Sequence, residues 1–334
     1  MGNTGVGWYS LFNATTASFN TGAGAGTLAL NSGDNNTATG TAALLLNATG
    51  SDNTAVGSVA LLNNDDGTAN TAVGSSALSS NSHGNSNTAT GFSALKSTTT
   101  GSFNTAAGSF ALTLNTTGSD NTAFGAGALE NATTSGNTAV GSGALLFDTS
   151  GSGNTAVGGT ALKSNVGGLS NTAIGGRALE SNIDGGQNTA SGLSALLHNT
   201  SGSGNVAVGY FALLENTTGI YNTAIGVDAL NDNTGSNNIA VGAGAGGSVI
   251  AATNVTCIGS SGANVDNTTW IRNIYGITTQ NGTTSPVIVS ADGQLGTVAS
   301  SERFKKDIAT MEKSSEAILS LRPVTFHYKT DTTC

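Results

Sequence analysis

The sequence predicts an all-β chain: a β-roll, or solenoid, with a 17-residue repeat, followed by a β-hairpin neck and a short α+β C-terminal segment. Glycine supplies 49 of the 334 residues, about twice its usual share. Charged residues make up 9% and aromatic residues 5%, which is too few large side chains for conventional cores. A five-residue phrase, Asn-Thr-Ala-apolar-Gly, also recurs along most of the chain. Together these features indicate a repeat built from small residues.

The phrase occurs fifteen times, in steps of 17 residues with three steps of 16. Taking the asparagine as position 0, Gly occupies position +4 in every copy and Leu occupies position +8 in fourteen. A sixteenth, degenerate copy begins at Val255, with Cys257 in the place of the usual Ala. The unit is too short for a pair of helices, and Asn, Thr and Gly are poor helix formers. Each unit is therefore predicted to form one β-coil. The starting asparagines are Asn3, Asn20, Asn36, Asn53, Asn70, Asn87, Asn104, Asn121, Asn137, Asn154, Asn171, Asn188, Asn205, Asn222 and Asn238.

Within a unit, the phrase predicts a short strand that ends at a Gly with positive φ, and the following Ala-Leu predicts a second strand. The Asn-Thr-Thr-Gly-Ser stretch predicts the return loop. Strand alternation separates positions +1 and +3 from +2 and +4. We expect the apolar residue at +3, such as Val56 or Ile174, to meet the +8 Leu inside the coil. The Ala and Gly of +2 and +4 would then form a narrow outer face that another chain approaches.

Stacking predicts the dimensions and the bonding of the roll. At the inter-strand spacing of about 4.8 Å, sixteen coils would form a rod about 75 Å long. The Asn, Thr and Gly columns are expected to form ladders from coil to coil. A thin roll buries little apolar area against the entropy of ordering each unit, so we expect it to self-associate.

Charge and composition exclude several functions. Residues 1–300 contain 14 acidic and four basic residues, a net charge of −10, so no nucleic-acid partner is expected. No apolar run is long enough to insert into a membrane. His83 and His198 stand at non-equivalent repeat positions, so we expect no metal site, and nothing indicates a cofactor. Paired carboxylates and phosphate-binding loops are missing from the repeats, so no turnover enzyme is expected there.

Residues 260–299 predict a β-rich neck. Two β-rich runs flank Asp292-Gly293, a pair typical of a hairpin turn. Larger side chains such as Trp270 would cap the end of the roll. Beyond them, residues 300–334 predict an extended piece, a helix over 311–321 and a strand from Val324.

The repeat phrase, as at residues 53–57, 70–74 and 154–158, resembles the heads of trimeric autotransporter adhesins. In that family a shorter S-V-A-I-G unit forms a left-handed β-roll, and three rolls associate. The resemblance covers about residues 3–259 and implies a homotrimer.

The C-terminal segment resembles the intramolecular chaperone of endosialidase, the S74 peptidase domain. Ser300, Arg303, Lys305, Ile308 and the string 321–326 match its phrase S-D-x-R-x-K-x-x-I, helix, L-R-P-V-x-F. In that family the domain trimerises, guides fibre assembly and cuts itself off. The resemblance implies Ser300 as nucleophile, Lys305 as its assisting base and the Ser300–Ser301 bond as the scissile bond. Ser301 stands where the family usually has Asp.

Three regions follow: a roll shaft or head at 1–259, a neck at 260–299, and the N-terminal part of an S74-type chaperone at 300–334. Because the chain stops at Cys334, short of a whole chaperone domain, we expect it to be a piece of a longer protein. The expected function is a homotrimeric fibre shaft of a phage tail-fibre-like protein in the virion, or of an adhesive bacterial surface protein.

Two alternatives remain. One is an adhesin that recognises a glycan or other cell-surface receptor, for which the sparse aromatics Tyr9, Phe103, Phe110 and Tyr210 do not form one column. The other is a self-processing serine protease that acts once per chain at Ser300.

Overall fold

The computed structural model describes residues 2–274 and 287–297. The chain divides into two compact units, Met1–Tyr275 and Gly276–Cys334, each described by itself. In the first unit, seventeen three-residue strands form one parallel sheet. These strands are β1 Thr4–Val6, β2 Thr21–Ala23, β3 Thr37–Thr39, β4 Thr54–Val56, β5 Thr71–Val73, β6 Thr88–Thr90, β7 Thr105–Ala107, β8 Thr122–Phe124, β9 Thr138–Val140, β10 Thr155–Val157, β11 Thr172–Ile174, β12 Thr189–Ser191, β13 Val206–Val208, β14 Thr223–Ile225, β15 Ile239–Val241, β16 Thr256–Ile258 and β17 Thr269–Ile271.

Each strand pairs in parallel with the strand of the next repeat, so the chain completes one coil between consecutive strands. Thr54, Ala55 and Val56 lie opposite Thr71, Ala72 and Val73, and the same register holds along the sheet. The predicted β-solenoid with a 17-residue repeat is therefore confirmed.

The predicted second strand is wrong. Positions +5 to +10 form turns, in which φ is positive at alternate residues, for example 52° at Val59 and 50° at Leu61. Backbone hydrogen bonds still join the coils there: the Val59 N–H donates to the Thr41 carbonyl of the coil before, and the Leu61 N–H to the Ala77 carbonyl of the coil after, both at 2.9 Å. Positive φ costs a Leu about 1 kcal/mol, and burying its side chain, worth about 2 kcal/mol, offsets that cost.

The predicted inner face of the strand is also wrong. The Ala at position +2 points inward, and in one coil Ala55, Ala60 and Leu61 are all completely buried. The residue at +3 points outward, so that Val56 is 39% exposed. The interior of the coil holds two Ala and one Leu per turn, which leaves no room for a further β-branched side chain. The small side chains at +2 therefore pack against their own chain and are not a surface for another one.

The Gly at position +4 has the positive φ that was predicted, between 119° and 145° in the fifteen regular copies. A methyl group on Gly57 would lie 2.5 Å from the carbonyl oxygen of Gly74 in the next coil. Any larger residue there would separate the two coils as well as strain the backbone.

Two buried asparagine columns connect the coils, as the predicted ladders required. The first asparagine column is position 0, from Asn3 to Asn238, where each Oδ1 accepts the backbone N–H of position 0 in the next coil at 2.8–3.1 Å. The second asparagine column is position +11, from Asn31 to Asn233. There the Asn64 Nδ2 donates to the Asn47 Oδ1 at 2.6 Å and to the Gly67 carbonyl at 2.8 Å.

At its C-terminal end, the first unit adds β17 to the sheet. Trp270 lies in register with the buried Cys257, in line with the inward-pointing column of position +2. Burial raises the pKa of the Cys257 thiol.

In the second unit, β18 Val287–Val289 and β19 Leu295–Thr297 pair antiparallel around Asp292-Gly293. This confirms the predicted hairpin. The helix and strand predicted over 311–334 lie outside the described residues.

Candidate interaction surface

The outward side of β1–β16 carries two parallel columns of side chains, which we call the strand face. It consists of positions +1 and +3 of every coil. Position +1 is almost always Thr, and position +3 is Val or Ile in most coils. Most of the apolar +3 side chains are exposed, from 38% at Val140 to 65% at Val6, whereas Val157 is half-buried. A column in which exposed apolar side chains predominate over sixteen coils indicates a surface that another molecule covers.

The strand face contains no charged side chain in any of the sixteen coils, although residues 1–300 have a net charge of −10. The acidic residues lie on the other sides of the coil, at position +6 and beyond. Removing this face from water therefore involves no desolvation of charge.

In the described part of the chain, the ion pairs lie outside the strand face. The His83 Nδ1 and the Asp66 Oδ1 are 2.7 Å apart, and this hydrogen bond raises the pKa of His83. Arg177 pairs with Glu180 at 2.7 Å, and His198 lies 3.7 Å from Glu215. Across residues 2–274 and 287–297, no group of three or more His, Cys, Asp or Glu side chains is arranged to hold a metal ion.

Aromatic side chains form small groups on the roll, most of them at positions +5 and +6. The Tyr9 ring contacts the rings of Trp8 and Phe12, with centroids 4.2 and 4.4 Å apart. Two further pairs, Phe92 with Phe110 and Tyr210 with Phe211, lie along the roll. Trp8 and Tyr9 border an open, mostly apolar depression of about 310 Å³ that reaches Leu45. Phe103, at position +16, does not belong to this arrangement.

One carboxyl group is buried inside the roll. Asp148 takes the place of an Asn in the second asparagine column, and its Oδ1 accepts hydrogen bonds from the Gly151 N–H at 2.9 Å and from the Asn165 Nδ2 at 3.0 Å. Its Oδ2 is buried without a partner. Burial is the main cause that raises the pKa of Asp148 to about 7, while these two hydrogen bonds act in the opposite direction. Asp148 is thus a carboxyl group that the fold favours in its neutral form.

The predicted catalytic residues Ser300 and Lys305, and the Ser300–Ser301 bond, lie outside the described residues.

The strand face was missed by the sequence analysis, although a signal for it was present. Position +2 is Ala in thirteen copies, whereas position +3 varies in size and polarity and includes Thr39, Ala107, Phe124 and Ser191. Uniform size is typical of a packed interior position, and mixed size and polarity are typical of an exposed one.

A scan against family models matches residues 300–333 to Peptidase_S74, the chaperone of endosialidase. Searches of curated proteins and of solved structures gave no match. In the part of the chain that the structure describes, no helix has the length and apolar character needed to cross a membrane.

Proposed function

We propose that this chain is the shaft of a fibre-like structural protein, which assembles as a homotrimer and carries a chaperone of its own assembly at the C-terminus. One observation carries the proposal: a parallel roll of sixteen coils precedes, in the same chain, a segment that matches the endosialidase chaperone. The roll supplies length and stiffness, because each coil is bonded to its neighbours through backbone and asparagine ladders. The setting that fits is a virion tail fibre or a bacterial cell surface, where a rod holds a contact site away from its anchor.

Light scattering on the full chain tests the assembly. We expect three times the chain mass of 32.6 kDa, and rods about 75 Å long by electron microscopy. A folded monomer would contradict the proposal.

A second part of the proposal concerns processing. The matched segment begins at Ser300, so we propose self-cleavage of the Ser300–Ser301 bond, with Ser300 as nucleophile and Lys305 as base, once the chaperone domain is complete. In a chain extended to the full domain, mass spectrometry under denaturing conditions would show the C-terminal part released. Ser300→Ala would abolish the release, whereas the matched control Ser301→Ala would retain the nucleophile and still cleave. Equal cleavage in both variants would remove Ser300 from this role.

The aromatic group of Trp8, Tyr9 and Phe12 favours a second candidate function, the binding of glycans at the coil that begins with Asn3. Trp8 is 75% exposed, and sugar rings stack on exposed aromatic faces. A glycan array with the full chain would show binding that Trp8→Ala removes and that Phe103→Ala, an exposed control elsewhere on the roll, leaves unchanged. Loss of binding in both variants, or in neither, would contradict this candidate.

A further inference from the structure

We propose that the strand face is the surface through which copies of this chain assemble, side by side, parallel and with equivalent coils level. The proposal rests on the fibre function proposed above and identifies the surface that holds the fibre together. The partner is a second copy of this chain, repeated around an axis parallel to the roll.

The size of the face supports this partner. Sixteen coils at about 4.8 Å, with a width on the order of 10 Å, give an uncharged strip of about 750 Å² per copy, made of the Thr column at +1 and the mostly apolar column at +3. A standard protein interface buries about 800 Å² on each partner. The area of the strip therefore matches what a stable interface needs.

Charge supports a second copy in particular. Two identical acidic chains repel each other, and the repulsion is smallest where the contact surfaces hold no charge. The strand face is uncharged over its whole length, whereas the return loops carry Asp34, Asp65, Asp66 and Asp184. Self-association through the strand face directs those carboxylates away from the contact.

The order of side chains along position +3 favours the parallel arrangement. Three coils interrupt the apolar column with a hydroxyl, at Thr39, Thr90 and Ser191. With copies parallel and level, each hydroxyl meets its own equivalent. With one copy reversed about the middle of the roll, Thr39 would face Ile225 and Thr90 would face Ile174. The reversed pairing places polar groups against apolar ones, which weakens it relative to the parallel one.

Two other surfaces of the roll fit a second copy less well. The inward Ala column is filled by its own chain, as Ala55 and Leu61 illustrate. The aromatic groups at +5 and +6 occur at a few coils only, so they cannot make a contact that repeats along the roll.

Charge substitution tests the face. In the full chain, Val140→Lys combined with Ile174→Lys places two ammonium groups on the strand face, on side chains that point away from the core. The matched control, Val166→Lys with Leu169→Lys, places the same charges on apolar residues of a return loop that are 39% and 48% exposed. Light scattering is expected to give the chain mass for the first variant and the multimer mass for the control. Circular dichroism establishes that both variants fold.

The outcomes separate this inference from the fibre proposal. If the unsubstituted chain is a multimer and the strand-face variant remains one, another surface holds the copies and the inference is overturned. If the unsubstituted chain is itself a monomer, the proposed assembly fails and the inference fails with it.

Disulfide cross-linking tests the same face without added charge. In a Cys334→Ser background, Val56→Cys is expected to cross-link to itself under oxidation, because parallel level copies bring this residue together. Val166→Cys, on the return loop, is expected to remain monomeric on a denaturing gel. A cross-link that forms only when Val56→Cys and Val208→Cys chains are mixed would establish reversed copies and overturn the parallel arrangement.

Discussion

The two asparagine columns run through the same roll and are equally buried, yet they differ in continuity. The first asparagine column is Asn in all fifteen regular coils. The second is interrupted at Thr98, Ala132 and Asp148. The difference follows from the groups to which each column forms hydrogen bonds. A side chain of the first column accepts a backbone N–H of the next coil, as Asn53 does from Asn70 at 2.9 Å.

Side chains of the second column bond chiefly to one another. The Asn182 Nδ2 donates to the Asn165 Oδ1 at 2.7 Å, and the Asn199 Nδ2 donates to the Asn182 Oδ1 at 2.7 Å. Each second-column amide also donates to a backbone carbonyl at the end of its own return loop, and that carbonyl accepts a second hydrogen bond from the first column. The Gly185 carbonyl, for example, accepts from both Asn182 and Asn171. Loss of a second-column residue thus leaves side-chain atoms unpaired while the backbone stays satisfied.

The unpaired atoms occur at the interruptions. Four buried side-chain atoms lack a hydrogen-bond partner in the described part of the chain, and all belong to the second column: Asn81 Oδ1, Thr98 Oγ1, Asn115 Oδ1 and Asp148 Oδ2. Asn81 precedes Thr98, and Asn115 precedes Ala132, so each has lost the amide that would donate to it. In this solenoid, a ladder whose side chains hydrogen-bond mainly to one another is interrupted, whereas a ladder whose side chains accept backbone N–H groups is continuous.

The largest expected effect is at Asp148. Its folded-state pKa, about 7, is raised from 3.8, so folding favours the protonated carboxyl. This contribution to stability is complete below about pH 4, is lost as the pH rises to about 7, and stays lost above that. Asp148→Asn keeps the shape and the accepting Oδ1 and removes the penalty of the buried charge, so we expect roughly 4 kcal/mol of added stability at pH 8 and little at pH 4.

Urea unfolding of the full chain at both pH values measures this effect. Asp184→Asn, at an exposed acid in the return loop two coils further along, is the matched control and is expected to change little at either pH. An unchanged urea midpoint for Asp148→Asn at pH 8 would show that the buried carboxyl imposes no penalty on the folded state.

The next largest effect is expected from replacing one asparagine in each column by alanine. Asn188→Ala in the first column orphans the Asn205 backbone N–H, which it accepts at 3.0 Å, and we expect a loss of about 3 kcal/mol. Asn182→Ala in the second column orphans side-chain atoms only, and we expect a loss of about 1.5 kcal/mol. Urea midpoints measured on the same day give the ratio. Equal losses of unfolding free energy in the two variants would show that hydrogen bonds to the backbone do not make the first column more important than the second.

The smallest effect is the repair of an interruption. Thr98→Asn supplies an amide that can donate to the Asn81 Oδ1 and an oxygen that can accept from Asn115, so we expect a gain of about 1 kcal/mol. Thr98→Val removes the unpaired hydroxyl without rebuilding the ladder and is expected to gain less. The result would be contradicted by a Val variant at least as stable as the Asn variant.

Much of the fold could be predicted from the repeat. The strand at Thr54–Val56, the positive φ of Gly57 and the asparagine ladders follow from spacing and from the conformational preferences of Gly and Asn. The inward face could not be read from alternation alone, because period 2 separates two faces without assigning either to the interior. The left-handed backbone of Leu61 was not predictable either, since Leu has no preference for it and adopts it here because coil-to-coil bonds require it.

The strand face, too, could be predicted only in part from the sequence. The sequence shows that positions +1 and +3 carry no charge. The exposure of these positions depends on Ala55 and Leu61 filling the interior, which the sequence pattern does not predict. The assignment of Ser300 and Lys305 remains a prediction from the matched segment.

The coil-by-coil register also has a genetic consequence. Because each coil bonds only to the coil before and the coil after, removing or adding one whole unit restores every contact of the kind that joins Asn53 to Asn70 or Gly57 to Gly74. Duplication or deletion of one unit in the coding sequence would therefore lengthen or shorten the roll in steps of about 4.8 Å.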